Sequence, residues 1–84
     1  MNVKQRKVYE QIFTNPVKSD IDWKDIENLL ESLGADISEG NDSRVCIELN
    51  GERAVFHRPH PESSTDKCAV KSMRRLLVNA GVEN

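Results

Sequence analysis

Arg44-Val45-Cys46-Ile47-Glu48-Leu49 alternates polar and apolar residues and runs directly into Asn50-Gly51. A period of two sends successive side chains to opposite faces of a strand, and Asn-Gly supplies the two positive-φ residues of a tight hairpin turn. Residues 44–58 are therefore predicted to form a hairpin. Val45, Ile47 and Leu49 face a core, and Arg44, Cys46 and Glu48 lie opposite. The returning segment Ala54-Val55-Phe56 is apolar throughout. If Ala54 and Phe56 point inward, Arg53, Val55 and His57 share the outer face with Arg44. A weaker strand is predicted over 35–38, with Gly40-Asn41-Asp42 as the turn into the hairpin.

Around this hairpin the apolar period lengthens to that of helices. Val8 with Ile12 and Tyr9 with Phe13 form an i,i+4 stripe over 3–14, stopped by Asn15-Pro16. Residues 23–33 carry Ile26, Leu29, Leu30 and Leu33 on one face. Asp22 is placed as the cap, Ile21 as a staple onto Ile26, and Gly34 as the stop. In this reading Asp22, Asp25, Glu27 and Glu31 keep the outside of that helix acidic, and Trp23 belongs to the core rather than to a base-stacking platform. Pro59 and Pro61 end the hairpin. Ser64 or Thr65 is the expected cap of a last helix reaching about Ala80, whose stripe is Ala69, Val70, Met73, Leu76, Leu77 and Ala80. The predicted order is helix, helix, three antiparallel strands, helix: an α+β fold with one sheet face left open.

With 84 residues and 37% hydrophobic content, one small domain is expected. A chain of this size buries only about 60% of the surface it exposes when unfolded, so no deep cofactor pocket, and no cofactor, is expected. No apolar run approaches the ~18 residues of a membrane-spanning helix. The opening MNVKQRKVYE is charged where a signal peptide is apolar. A cytoplasmic protein with no membrane partner is the expectation, and Cys46 and Cys68 are read as free thiols.

The net charge of −2 conceals a division along the chain. Residues 1–43 hold five basic and nine acidic side chains, whereas residues 44–75 hold seven basic and four acidic ones. Only the second half presents an attractive surface to a polyanion. Lys67, Lys71, Arg74 and Arg75 form a basic ridge on the last helix, suited to phosphates along a nucleic-acid backbone. Such a ridge is more commonly a solvated face. Here the open sheet face adds Arg44, Arg53 and His57, with Arg58 following.

His57 and His60 are the only imidazoles. Their i,i+3 spacing is interrupted by Pro59, and no further Cys, Asp or Glu cluster completes a ligand set, so no metal site is expected. An unperturbed imidazole titrates near neutral pH, so either residue is a candidate for acid–base work. The simpler reading makes His57 an amphipathic strand-end residue and His60 a turn residue. Cys46 is read as a half-buried strand cysteine, since no nucleophile motif surrounds it.

Taken together, Ile21-x-Trp23-x-Asp25-Ile26-x-x-Leu29-Leu30-x-x-Leu33-Gly34, Gly40 to Val45, Val55-Phe56-His57-Arg58-Pro59-His60-Pro61 and the helix ending Ala80-Gly81 resemble a HicA-type toxin of bacterial toxin–antitoxin systems. The resemblance covers nearly the whole chain. It implies one HicA-like domain over 1–84: an extra N-terminal helix and turn at 1–20, then an α-β-β-β-α core at 21–84, like a double-stranded RNA-binding domain. It also implies mRNA cleavage without a metal and neutralisation by a HicB-type antitoxin. In the family a Gly-Ser-His pattern carries the catalytic histidine; here that stretch reads Asp42-Ser43-Arg44. Arginine stays protonated, so Arg44 can grip a phosphate or stabilise developing charge and cannot act as a general base.

Two forms of this function follow. In the first, His57, with His60, takes the acid–base role beside Arg44, and RNA is cut by its own 2′-OH. In the second, the protein is a catalytically inactive RNA-binding or antitoxin-binding module of the same fold. Arg44, Arg53, Arg58, Lys67, Lys71, Arg74 and Arg75 are the expected RNA contacts in either. A third class, a protein-interaction adaptor, rests on the acidic first half and the strand edges.

Overall fold

The computed structural model describes residues 2–59 and 64–82. Helix α1 (Val3–Ile12) starts at a reciprocal cap, in which the Gln5 N–H donates to Asn2 Oδ1 at 2.8 Å and the Asn2 N–H donates to Gln5 Oε1 at 3.0 Å. It buries Val8 and Ile12, the i,i+4 stripe read from the sequence. The two-residue strand β1 (Ile21–Asp22) leads into α2 (Trp23–Ser32). Asp22 caps α2 by accepting the Lys24 N–H at 2.9 Å. Gly34, at φ +90°, closes it: the Gly34 N–H donates to the Glu31 carbonyl and the Ala35 N–H to the Leu30 carbonyl, both at 3.0 Å. That pair of bonds satisfies carbonyls a helix end otherwise leaves open, and its left-handed turn favours a residue without Cβ.

Strands β2 (Asp36–Glu39), β3 (Arg44–Leu49) and β4 (Glu52–His57) form an antiparallel sheet in the order β2-β3-β4. Asn50 and Gly51 turn β3 into β4 with φ values of +51° and +84°, the conformation their identities predict. The register pairs Val45 with Phe56 and Ile47 with Ala54. Those four side chains therefore face the helices, while Arg44, Cys46, Arg53, Val55 and His57 lie on the opposite face. The returning strand thus takes the orientation with Ala54 and Phe56 inward.

Strand β5 (Ser64–Thr65) pairs with β1, Ile21 opposite Thr65, and precedes α3 (Lys67–Asn79). This corrects the cap expected at Ser64 or Thr65. Asp66 caps α3, its Oδ1 accepting the Ala69 N–H at 2.7 Å. Thr65 is 1% exposed and belongs to the small β1-β5 sheet. A pairing between segments more than forty residues apart leaves no local pattern for a sequence reading to find.

One core joins all three helices to the inner sheet face. Ile12 from α1, Ile26 and Leu29 from α2, Ile47 and Leu49 from β3, and Met73 and Leu77 from α3 are all essentially inaccessible. Trp23 lies in this core with its ring 5.6 Å from that of Phe56. The α2-β2-β3-β4-α3 order with its three-stranded sheet is that of a double-stranded RNA-binding domain, and α1 adds Val8 and Ile12 to the same interior. Among the described residues, no helix is long and apolar enough to cross a membrane.

Candidate nucleic-acid interface

Arg44 opens β3 and His57 closes β4, and the register places them opposite one another at the mouth of the hairpin. Both are exposed. Because neighbouring core residues Val45 and Phe56 point inward, Arg44 and His57 must point outward. Asp42 and Ser43, immediately before Arg44, adopt left-handed φ values of +58° and +65°. The Arg44 N–H closes that turn onto the Asn41 carbonyl at 3.1 Å. The tight turn is what delivers Arg44 to its strand position beside His57.

Arg53 lies on the same face, two pairs nearer the turn than Val55 and Cys46, and makes a loose 3.7 Å ion pair with Glu48. Both side chains are largely solvated, so this pair takes little from Arg53's capacity to meet an anion. Cys46 is half-buried and Cys68 exposed, both as free thiols. On α3, Lys67, Lys71 and Arg75 are exposed and follow one another at i,i+4 along a single stripe.

Arg58 and Arg74 have different surroundings. The Arg58 guanidinium donates from Nε to Glu27 Oε2 at 3.0 Å and from Nη1 to Glu39 Oε1. Glu27 Oε2 also accepts the Trp23 indole N–H at 2.6 Å. Hydrogen bonds to Glu39 and then to Glu27 raise the Arg58 pKa above its ordinary value, against desolvation. Glu27, with its side chain only 16% exposed, is therefore part of an internal bridge between α2, β2 and the end of β4, not of the acidic outer surface expected for it. Arg74 donates to the Ile12 carbonyl, the Thr14 carbonyl and Asn15 Oδ1. It closes the C-terminal end of α1 with its own side chain, where carbonyls lack intrahelical donors.

Of the seven arginines and lysines expected to meet RNA, the fold thus leaves Arg44, Arg53, Lys67, Lys71 and Arg75 outward and gives Arg58 and Arg74 internal acceptors. His60 falls outside the described residues. Among those that are described, no group of His, Cys, Asp and Glu could hold a metal ion. The Glu27–Arg58–Glu39 bridge and the Arg74 cap escaped the sequence reading because each joins residues distant along the chain. The surplus of basic residues in 44–75 gave no sign of which ones the fold itself would engage.

The family model described as HicA toxin of bacterial toxin-antitoxin matches residues 23–82, which run from the start of α2 through the last described residue after α3. A curated relative, the phosphate import ATP-binding protein PstB of Mycoplasma mobile, is 30% identical over 82 residues, corresponding to 90% of this chain. The chain spans 28% of that protein's length. It contains no G-x-x-x-x-G-K-S/T phosphate loop, so the ATP binding in the relative's name has no counterpart motif here. No solved structure matches the chain.

Proposed function

From its membership of the HicA toxin family of bacterial toxin–antitoxin systems, to which the chain belongs, we propose that it binds and cleaves mRNA in the cytoplasm and is neutralised by a HicB-type antitoxin. The observation that carries the reading is the cross-strand pair of Arg44 and His57 on the uncovered sheet face. It sets an imidazole able to move a proton beside a permanent positive charge.

The proposed reaction is attack of the RNA 2′-OH on its own adjacent phosphate. His57 accepts the 2′-OH proton, the 2′-oxygen bonds to phosphorus, and the bond to the 5′-oxygen breaks with a proton supplied to that leaving oxygen. The products are a 2′,3′-cyclic phosphate and a 5′-hydroxyl. His60, the chain's other imidazole, is the proposed proton donor. Arg44 stabilises the charge that develops on the phosphoryl oxygens. Neither a metal nor a cofactor has a part in this scheme. Arg53, Lys67, Lys71 and Arg75 supply phosphate contacts that position the strand.

A second reading is favoured by one specific feature, the arginine at position 44 where the family pattern places histidine. In it the surface binds RNA or antitoxin and cuts nothing. Incubating the purified protein with end-labelled single-stranded and duplex RNA in EDTA, across a salt series, separates the two. Cleavage products establish the metal-independent nuclease. Retardation without cleavage, weakening as salt rises, establishes the inactive binder. Neither cleavage nor retardation removes RNA from the function.

A further inference from the structure

We infer that the free edge of β4 is where the antitoxin docks, by adding an extended segment, acidic in character, as a fourth strand of the sheet. The inference rests on the reading of the chain as a toxin held by a HicB-type antitoxin, and it names the surface and the mode of binding.

The hydrogen-bond phase of the hairpin is fixed by one contact. The Arg58 N–H donates to the Ser43 carbonyl at 2.9 Å, just beyond the Arg44–His57 pair, so that pair is a non-hydrogen-bonded one. Alternation then turns the backbone groups of Phe56, Ala54 and Glu52 toward β3 and those of His57, Val55 and Arg53 outward. Strand β4 is the last of the sheet, and among the described residues no backbone group meets those three outward N–H and C=O pairs. They recur every second residue, the spacing at which an extended polypeptide presents complementary groups. An RNA backbone offers 2′-hydroxyls and phosphate oxygens, but not the alternating N–H and C=O groups that match this row pair for pair.

Beside this edge lies a crevice of about 210 Å³ between β4 and α3, bordered by Arg53 and Val55 on one side and Ser72, Arg75 and Leu76 on the other. An added strand would send alternate side chains into the crevice and the remainder along the open face next to Arg53, Val55 and His57. Two arginines against the single carboxylate of Glu52 at this border favour acidic residues in the incoming strand. Val55, 57% exposed, gives it an apolar contact. The opposite edge is a poorer template. The Gly40 N–H donates to the Arg44 carbonyl at 2.7 Å, which leaves only Ile37 and Glu39 of β2 facing out. That edge carries Asp36 and Glu39, a like charge to the proposed segment.

Residue-resolved hydrogen exchange tests this on the chain alone, on the chain saturated with RNA, and on its complex with the co-expressed HicB-type antitoxin. In the antitoxin complex the amides of Arg53, Val55 and His57 are expected to slow by about tenfold or more, with Ile37 and Glu39 unchanged. A stable complex in which those three exchange at the free rate overturns the edge assignment and leaves the toxin reading standing. Equal protection by RNA alone assigns the edge to RNA and overturns it as well. Failure to form any complex removes both readings together. Val55→Pro deletes one outward N–H and no bond of the β3 ladder, and is expected to weaken the antitoxin complex about tenfold with RNA retardation unchanged. Full antitoxin affinity in that variant contradicts the inference. Should the variant unfold, as judged by circular dichroism, the exchange pattern of the wild-type complex decides.

Discussion

Arg44 and His57 are cross-strand partners at the open end of the β3-β4 hairpin, in a non-hydrogen-bonded pair whose side chains both leave the sheet on the face without helices. Pairs of this type bring side chains closer than their hydrogen-bonded neighbours. A fixed cation beside a titratable imidazole suits the proposed phosphoryl chemistry, and the division of roles between the two is measurable.

His57→Ala is expected to lower single-turnover RNA cleavage by about 10²- to 10⁴-fold, the usual worth of a positioned general base, with RNA retardation near the wild-type level. Arg44→Ala is expected to lower cleavage by about 10²- to 10³-fold and to weaken retardation too, because the guanidinium also contacts phosphate. Unchanged cleavage in His57→Ala would remove the imidazole from the mechanism.

The basic residues of α3 are expected to separate into two classes. Lys67→Ala and Lys71→Ala should each flatten the slope of log affinity against log salt by about 1, the loss of one phosphate contact. Arg74→Ala should leave that slope alone and cost about 1–3 kcal/mol of stability in urea unfolding, because it strips donors from the carbonyls of Ile12 and Thr14. A lowered salt slope in Arg74→Ala would place its side chain on RNA instead.

Glu27→Ala leaves the indole N–H of Trp23, a residue only 4% exposed, without its acceptor. A loss of about 1–3 kcal/mol is expected from the unsatisfied donor. Glu27→Gln retains an acceptor oxygen and should lose less. Denaturant unfolding followed by the fluorescence of Trp23, the single indole of the chain, reads both variants.

The Arg58 bridge is not expected to act as a pH switch near neutrality. Its guanidinium pKa is raised in the folded protein, first by Glu39 and then by Glu27. A group shifted this way contributes fully below its unfolded pKa and loses that contribution only as pH climbs through the folded value. For arginine that window lies in strong alkali. The difference in Tm between wild type and Arg58→Met should therefore stay constant from neutral pH into the moderately alkaline range. A difference that shrinks there would mean that the bridge is carried by another titrating group.

What the sequence determined by itself is most of what short-range physics controls. Alternation over 44–49 and Asn50-Gly51 specified the hairpin. Asp22 and Gly34 specified the limits of α2, and the stripes around Ile12, Leu29 and Leu77 specified which helical faces lie inside. Each follows from contacts a few residues apart, where side-chain type and backbone preference act directly. Even the open face carrying Arg44 and His57 could be anticipated, given one choice of facing for Ala54 and Phe56. Tertiary structure made that choice, because only packing against the helices distinguishes two faces of an all-apolar strand. It likewise paired Ile21 with Thr65, moved the α3 cap to Asp66, drew Glu27 and Arg58 into one bridge and committed Arg74 to the end of α1. The Ile21–Thr65, Glu27–Arg58 and Ile12–Arg74 contacts join residues 31 to 62 positions apart. Charge and periodicity carry no record of such distances, and only the folded chain determines which arginines remain free to meet a partner.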